Sequence, residues 1–325
     1  MVDFDLGFLH KIPSPSRLAC ALDRTRDAHV DDVLTEGRDE VRALLRARDA
    51  LKQGPDASAA ETVDRVAAKL LTELRASSAR EGAALRAMTL FDRALHTEDE
   101  ELLDRELLPQ RVKDLSMRLL HRVNVVLGSY SVWTDAIVHA LGDRRDAHVY
   151  DLAAGTGGYA RYLAAHPPAG YSLRVTSSDL RSDYVAIGAA RAREEGLDVR
   201  YEVRDALDLR ELRARGDVDL FLCTQAVHHL SPGMVVRMIA QCIAAAPRGL
   251  VVVDLFRSLT NFVAAGAFVS LAAPFPVLVY DGLVSVRRSY TPAELSLLAQ
   301  LAGAHHVESR AWGPAYCLLH ARGTD

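Results

Sequence analysis

Between residues 147 and 256 the chain repeats one unit: a short run of branched and apolar residues, then a helical pattern. The runs are HVYDLA (148–153), YSLRVTSSDL (171–180), DVRYEVRDAL (198–207), DVDLFLCTQA (217–226) and RGLVVVDLF (248–256). Such alternation demands parallel strands, covered on both faces and joined by right-handed crossovers. The fifth run is apolar almost throughout, as a strand buried on both faces must be. Between the runs, GYARYLAAH, DYVAIGAARAREEG and SPGMVVRMIAQCIAAA read as helices, the last capped by Ser231 with Pro232 in its first turn. Further on, TPAELSLLAQLAG is a helix, and two strands flank Gly313-Pro314 as an antiparallel hairpin at the sheet edge.

The first 145 residues have a different texture. Val33, Leu34, Val41, Leu44, Leu45 and Leu51 recur at helical spacing, KQGPDAS (52–58) breaks the pattern, and a second long pattern runs from Ala59 to Leu95. This divides the chain into an N-terminal helical domain (residues 1–110), connecting helices (111–145), and an α/β domain (146–325) carrying an apolar insertion, 258–285. The helical domain could cap a site, pair two copies as a homodimer, or both. A formal charge of -4 gives no reason to expect nucleic acid as a partner. Cys20, Cys223, Cys242 and Cys317 lie far apart, without metal or disulfide spacing, and the first residues lack the basic-then-apolar order of a secretory signal. A reduced, cytoplasmic protein is the expectation. NFVAAGAFVSLAAPFPVLVY (261–280) is apolar enough for a membrane check, but Pro274 and Pro276 break any single spanning helix. It reads as a buried helical insertion or a lid over an apolar pocket.

In sheets of this kind ligands bind beyond the C-terminal strand ends, where the strand order reverses. DLAAGTGG (151–158) falls there, and Gly155, Gly157 and Gly158 would let a ligand approach the backbone. A tight turn alone would need one glycine. Asp179 ends the second strand, where a carboxylate can accept both hydroxyls of a ribose, or else cap the next helix. Nicotinamide cofactors use the same device. Two details point away from a diphosphate: Asp151 directly before the loop would repel phosphate and attract an ammonium or sulfonium, and Asp205-Ala206 could accept from an adenine amino group.

DLAAGTGG, SSDL, RDAL and LCTQAVHHLSP, in that order and spacing, resemble the class I S-adenosylmethionine-dependent methyltransferases over about 147–322. The resemblance implies an α/β, Rossmann-like sheet of seven strands with an antiparallel C-terminal hairpin, here preceded by an all-α domain. It implies S-adenosylmethionine as cofactor, with Asp151 and Gly155 near the methionine moiety, Asp179 at the ribose, and Asp205 and Ala206 at the adenine. Ala153, Thr156, Gly157, Leu180 and Thr224 are the further expected cofactor contacts. Ala153 and Ala154 depart from the glycine and cysteine of many members, but stay small. MRLLHRVNVVLG (117–128) and VYDGLVSVRRSYTPAEL (279–295) more loosely resemble methyltransferases of polyketide and phenolic natural products.

Methyl transfer needs alignment more than a base, although a residue taking a proton from a phenol or alcohol would help. His228 and His229 are the candidates, with core packing or helix capping as the plainer role. A metal site is not expected, because adjacent histidines in a strand cannot share an ion and no carboxylate stands at ligand spacing. Tyr159, Arg257, Phe262, Tyr280, Arg287 and Tyr290 are the candidate contacts to a small-molecule acceptor. An ion pair is the alternative for Arg257, and fastening of the insertion for Arg287 and Tyr290. The sequence therefore points to O-methylation of a phenolic or polyketide-type acceptor. N-, C- or lipid methylation, a nicotinamide-dependent oxidoreductase and a non-enzymatic cofactor-binding protein are the rivals.

Overall fold

A computed structural model describes residues 17–105, 107–271, 275–312 and 315–324. Seven helices come first: α1 (Arg17–Ala28), α2 (Val30–Glu36), α3 (Arg38–Leu51), α4 (Ala57–Ser77), α5 (Ala83–Leu95), α6 (Gln110–Val126) and α7 (Ser129–Leu141). The alternating region follows as β1 (Asp146–Leu152), α8 (Gly158–Ala165), β2 (Ser172–Asp179), α9 (Ser182–Glu194), β3 (Val199–Val203), α10 (Arg210–Arg215), β4 (Leu220–Thr224), α11 (Pro232–Ala245) and β5 (Leu250–Leu255). The chain closes with α12 (Leu259–Leu271), α13 (Pro276–Arg288), α14 (Pro292–Leu301), β6 (His306–Trp312) and β7 (Tyr316–Arg322). The order across the sheet is β3-β2-β1-β4-β5-β7-β6, so the strand order reverses between β1 and β4. Pairings among β1 to β5 are parallel, and β7 runs antiparallel to both β5 and β6. The α/β expectation holds, hairpin included; Gly313 and Pro314 themselves lie outside the described residues.

Alternation sets the two cores. Val149, Leu220, Leu222, Val251 and Val253 face one side, against Trp133 and Ile137 of α7 and Tyr159 and Leu163 of α8. Tyr150, Leu152, Phe221, Cys223, Leu250 and Val252 face the other, toward α11 and α14. Leu44, Val63, Val66, Leu70 and Leu74 belong to this second core as well. Helices α2 to α4 thus share a core with the α/β region, and the change of texture after residue 145 does not mark a change of core.

Local chemistry explains the element ends. Asp56 caps α4, its side chain accepting from Ala59 N at 3.1 Å. Thr291 and Glu294 form a capping box at the start of α14, and Ser231 caps α11 ahead of Pro232. The long pattern expected from Ala59 to Leu95 is split at Gly82, whose φ of +129° no helix admits. The apolar insertion is two helices, α12 and α13, the second starting at Pro276; Pro274 lies outside the described residues. Among the described residues no helix is long and apolar enough to cross a membrane. Cys223, Cys242 and Cys317 are buried free thiols.

Candidate active site

The loop 153–157 links β1 to α8 at the reversal point. Its backbone turns through positive φ three times: Ala153 (+50°), Gly155 (+56°) and Gly157 (+66°). A Cβ on Gly155 would stand 2.8 Å from Met117 Cε, whereas one on Gly157 would stand 2.6 Å from the Tyr201 hydroxyl and 2.7 Å from Ser177 Oγ. Gly157 packs onto β2 and β3, whereas Gly155 and Gly158, whose Cβ would stand 3.0 Å from His121 Nδ1, look toward α6, which passes over the loop. The Cβ direction of Gly157 faces the sheet, so its expected ligand contact is left to its backbone. Thr156, buried at 3%, accepts from Arg191 Nη1 through its hydroxyl and from Arg161 Nη1 through its carbonyl.

Asp179 does not point to solvent. Its Oδ2 accepts from Gly155 N at 2.8 Å and its Oδ1 from Arg181 N at 2.9 Å, which ties the end of β2 to the loop. Each oxygen keeps a lone pair for a further donor. Asp151 is the opposite case. It is 1% exposed, and neither carboxylate oxygen has a hydrogen-bond partner. Burial first, and then the Asp179 charge, push its carboxyl up to about 8. An orphaned buried carboxyl next to a loop poor in side chains is what a cationic ligand completes. Asp205 accepts from Leu207 N at 2.8 Å and is exposed, Ala206 and Thr224 are half-buried, and Leu180 is 67% exposed.

Across the reversal point, β4 is followed by Gln225, a second non-glycine residue at positive φ (+51°), whose Oε1 accepts from Asn124 Nδ2 of α6 at 3.0 Å. A single turn, Val227–His229, then carries both histidines. His228 is buried between two acids, with Nδ1 2.8 Å from Asp254 Oδ1 and Nε2 3.2 Å from Glu101 Oε1. Although burial opposes its charge, Asp254 and then Glu101 hold the imidazolium up to about 10. Burial likewise opposes the charge of Glu101, yet the hydrogen bond from His228 holds it down to about 2. His228 as a base is thus corrected: with both ring nitrogens protonated it has no lone pair to receive a proton. His229, 29% exposed, donates from Nδ1 to Asp104 Oδ2 at 2.9 Å and turns Nε2 to within 3.8 Å of Glu101 Oε2. Two premises of the expectation against shared ligation differ here: the histidines lie on a turn, and a carboxylate arrives from residue 101.

The expected acceptor contacts divide sharply. Arg257 is buried, donating to Asp92 Oδ1 at 2.8 Å, Glu294 Oε1 at 2.6 Å and the Ser289 carbonyl at 2.6 Å. Tyr290 donates to the Leu230 carbonyl at 2.7 Å, and Tyr159 pairs with Thr134 inside an aromatic group with Tyr130 and Trp133. Arg287 donates to the Leu95 carbonyl at 2.9 Å. These four fasten the fold, a correction to their assignment as acceptor contacts. Phe262 remains half-buried on α12 and Tyr280 36% exposed on α13. Residues that the sequence pattern does not single out do more: Asp281 accepts from Leu102 N and Leu103 N, and Ser285 donates to Glu101, so α13 holds the Glu101 turn against the histidines.

A sheet reversing at β1 and β4, with a carboxylate near the end of each of the first two strands, defines an α/β protein of the kind that binds ligands at its strand ends. Residues 149–249 match the family model described as a methyltransferase domain. The chain carries this match over about a third of its length, from β1 to the residue before β5. Among solved structures it is similar to a SAM-dependent methyltransferase from Aquifex aeolicus (16% identity, 58% of this chain and 88% of that one, TM-score 0.41). It is also similar to the citrinin polyketide synthase CMeT domain (15%, 96% and 98%, TM-score 0.49). An O-methyltransferase from neocarzinostatin biosynthesis is a third (17%, 66% and 59%, TM-score 0.44). No curated protein matches the chain.

Proposed function

We propose that the chain transfers a methyl group to an oxygen of a small, largely apolar acceptor of phenolic or polyketide type. S-adenosylmethionine supplies, when bound, a methyl group made electrophilic by its sulfonium. Asp151 would take the ammonium of the methionine moiety, with Ala153 and Gly155 offering a bare backbone beside it. Asp179 would accept from the ribose hydroxyls, with Leu180, Asp205 and Ala206 around the base and Thr224 between the two halves of the site. The orphaned oxygens of Asp151 support this placement.

The observation that carries the oxygen-acceptor reading is the group Glu101, His228 and His229 at the end of β4. An alcohol or phenol must lose a proton as it is methylated, and this is where polar groups gather beside α13, with Phe262 of α12 and Tyr280 of α13 as the proposed acceptor contacts. Calorimetry with S-adenosylhomocysteine and mass spectrometry over a panel of hydroxylated aromatics test the reading. The homocysteine product should bind, Asp179→Ala should weaken it by on the order of a hundredfold through loss of charge-assisted hydrogen bonds, and product should carry the new methyl on oxygen. Methyl found on carbon or nitrogen, or no binding at millimolar ligand, would overturn it.

A further inference from the structure

The turn Val227–His229 aims two neighbouring imidazoles at one carboxylate, and each imidazole is held from behind by another. Asp254 takes His228 Nδ1, Asp104 takes His229 Nδ1, and both Nε2 atoms face Glu101, at 3.2 and 3.8 Å. Glu101 is itself fixed by Ser285 Oγ at 2.6 Å. One donor atom from each of Glu101, His228 and His229 lies within 4.8 Å of the other two. We propose that these three residues form a site for one divalent transition-metal ion, zinc or an ion of similar preference.

The geometry is close to what such an ion asks. Two donors about 2.0–2.1 Å from a tetrahedral ion stand roughly 3.3 Å apart, and the Nε2–oxygen separations bracket that value. Two imidazoles and a carboxylate suit a borderline ion and leave at least one position open. The rear carboxylates match the way ligating histidines are held, fixing the tautomer that presents Nε2. A plain ion triad accounts for His228 between its two acids. It gives no reason for His229 to bring Nε2 to the same Glu101, or for Asp104 to hold its other nitrogen. The ion would displace the proton that His228 shares with Glu101. The inference deepens the proposed function and rests on it only for what fills the open position: the acceptor hydroxyl, whose proton passes to water.

The full chain, stripped of metal by chelation, is titrated with Co²⁺ and then Zn²⁺. One equivalent of Co²⁺ should bind with a visible absorption band that Zn²⁺ abolishes. His229→Ala and Glu101→Gln should each weaken binding at least ~10-fold, and Asp104→Asn ~10–100-fold, as loss of a rear partner does. Asp104 is exposed, so its variant decides if Glu101→Gln does not fold. The trio His306, Glu308 and His320 could also hold an ion at the sheet edge, so His306→Ala is the control and should change nothing. S-adenosylhomocysteine should bind the metal-free chain, which separates failure here from failure of the cofactor reading. No cobalt band from a folded, product-binding chain would overturn the proposal, as would binding that His306→Ala removes and Glu101→Gln spares.

Discussion

The two halves of the strand-end surface treat negative charge in opposite ways. Around β1 and β2, Asp151 lies buried with no partner, and Asp179 accepts only backbone amides. Around β4 and β5 four carboxylates meet cations: Asp254 and Glu101 flank His228, while Asp92 and Glu294 flank Arg257. The Arg257 group also collects Arg26 and Arg75, so α1, α4, α5 and α14 meet at one ionic knot behind β5. Unpaired charge in an interior is costly and survives where something arrives to complete it. Paired charge is already complete, and removing one member exposes the desolvation of the other. On the proposed reading the first half is the receptor, and the second is fastening except at the trio Glu101, His228 and His229.

The comparison makes opposite predictions for loss of one charge on each side. Arg257→Ala should destabilise the chain by about 3–5 kcal/mol, because Asp92 and Glu294 are left buried with less compensation. Chemical denaturation would measure it, and a loss below about 1 kcal/mol, the scale of exposed pairs, would mean that the knot is not the fastening it resembles.

On the other half the sign reverses and depends on pH. Burial and then Asp179 raise the Asp151 carboxyl from its ordinary value to about 8. The folded chain thus holds a proton that the unfolded chain has released above about pH 4. Its contribution to stability is present at low pH and is lost as pH rises toward 8. Asp151→Asn removes that dependence, so the variant without cofactor should gain on the wild type between pH 5 and pH 8, by roughly 2–4 °C in Tm per kcal/mol. Product affinity moves the other way. A carboxylate that must ionise to meet an ammonium binds more tightly as pH rises, by up to about tenfold per unit until near pH 8. Calorimetry in buffers of different ionisation enthalpy would detect the proton released, and an affinity flat between pH 6 and pH 8 would remove Asp151 from the ammonium site.

The same division decides what could be read from the chain. The receptor half is local: Asp151, Gly155, Asp179 and Asp205 each stand at the end of a strand with its own pattern, so the alternation locates them. The paired half is assembled from afar. Glu101 and Asp104 sit in TEDEELLD (97–104), a run of acids no different in sequence from a solvated face. What brings them to the histidines is the pair of bonds that the Leu102 and Leu103 amides donate to Asp281, about 180 residues downstream. For the same reason Arg257 and Tyr290 read as acceptor contacts: both follow elements that face the site, and only burial against α1, α5 and α14 reveals them as fastenings.

Backbone strain gives the smallest and finest test, because each half carries one non-glycine residue at positive φ. Ala153 follows β1 at +50° and Gln225 follows β4 at +51°. An L-residue in that region costs roughly 1–2 kcal/mol, and glycine returns about 0.5–1 of it to the unfolded chain as entropy. Ala153 has no side chain beyond Cβ to justify the strain, so Ala153→Gly should gain up to about 1 kcal/mol. Gln225→Gly would relieve the same strain but lose the bond from Asn124, worth about 0.5–1.5 kcal/mol, and should come out near neutral. Thermal unfolding of the two variants side by side checks the pairing. Equal gains would show that α6 does not draw on Gln225, and that the two halves are joined only through the sheet.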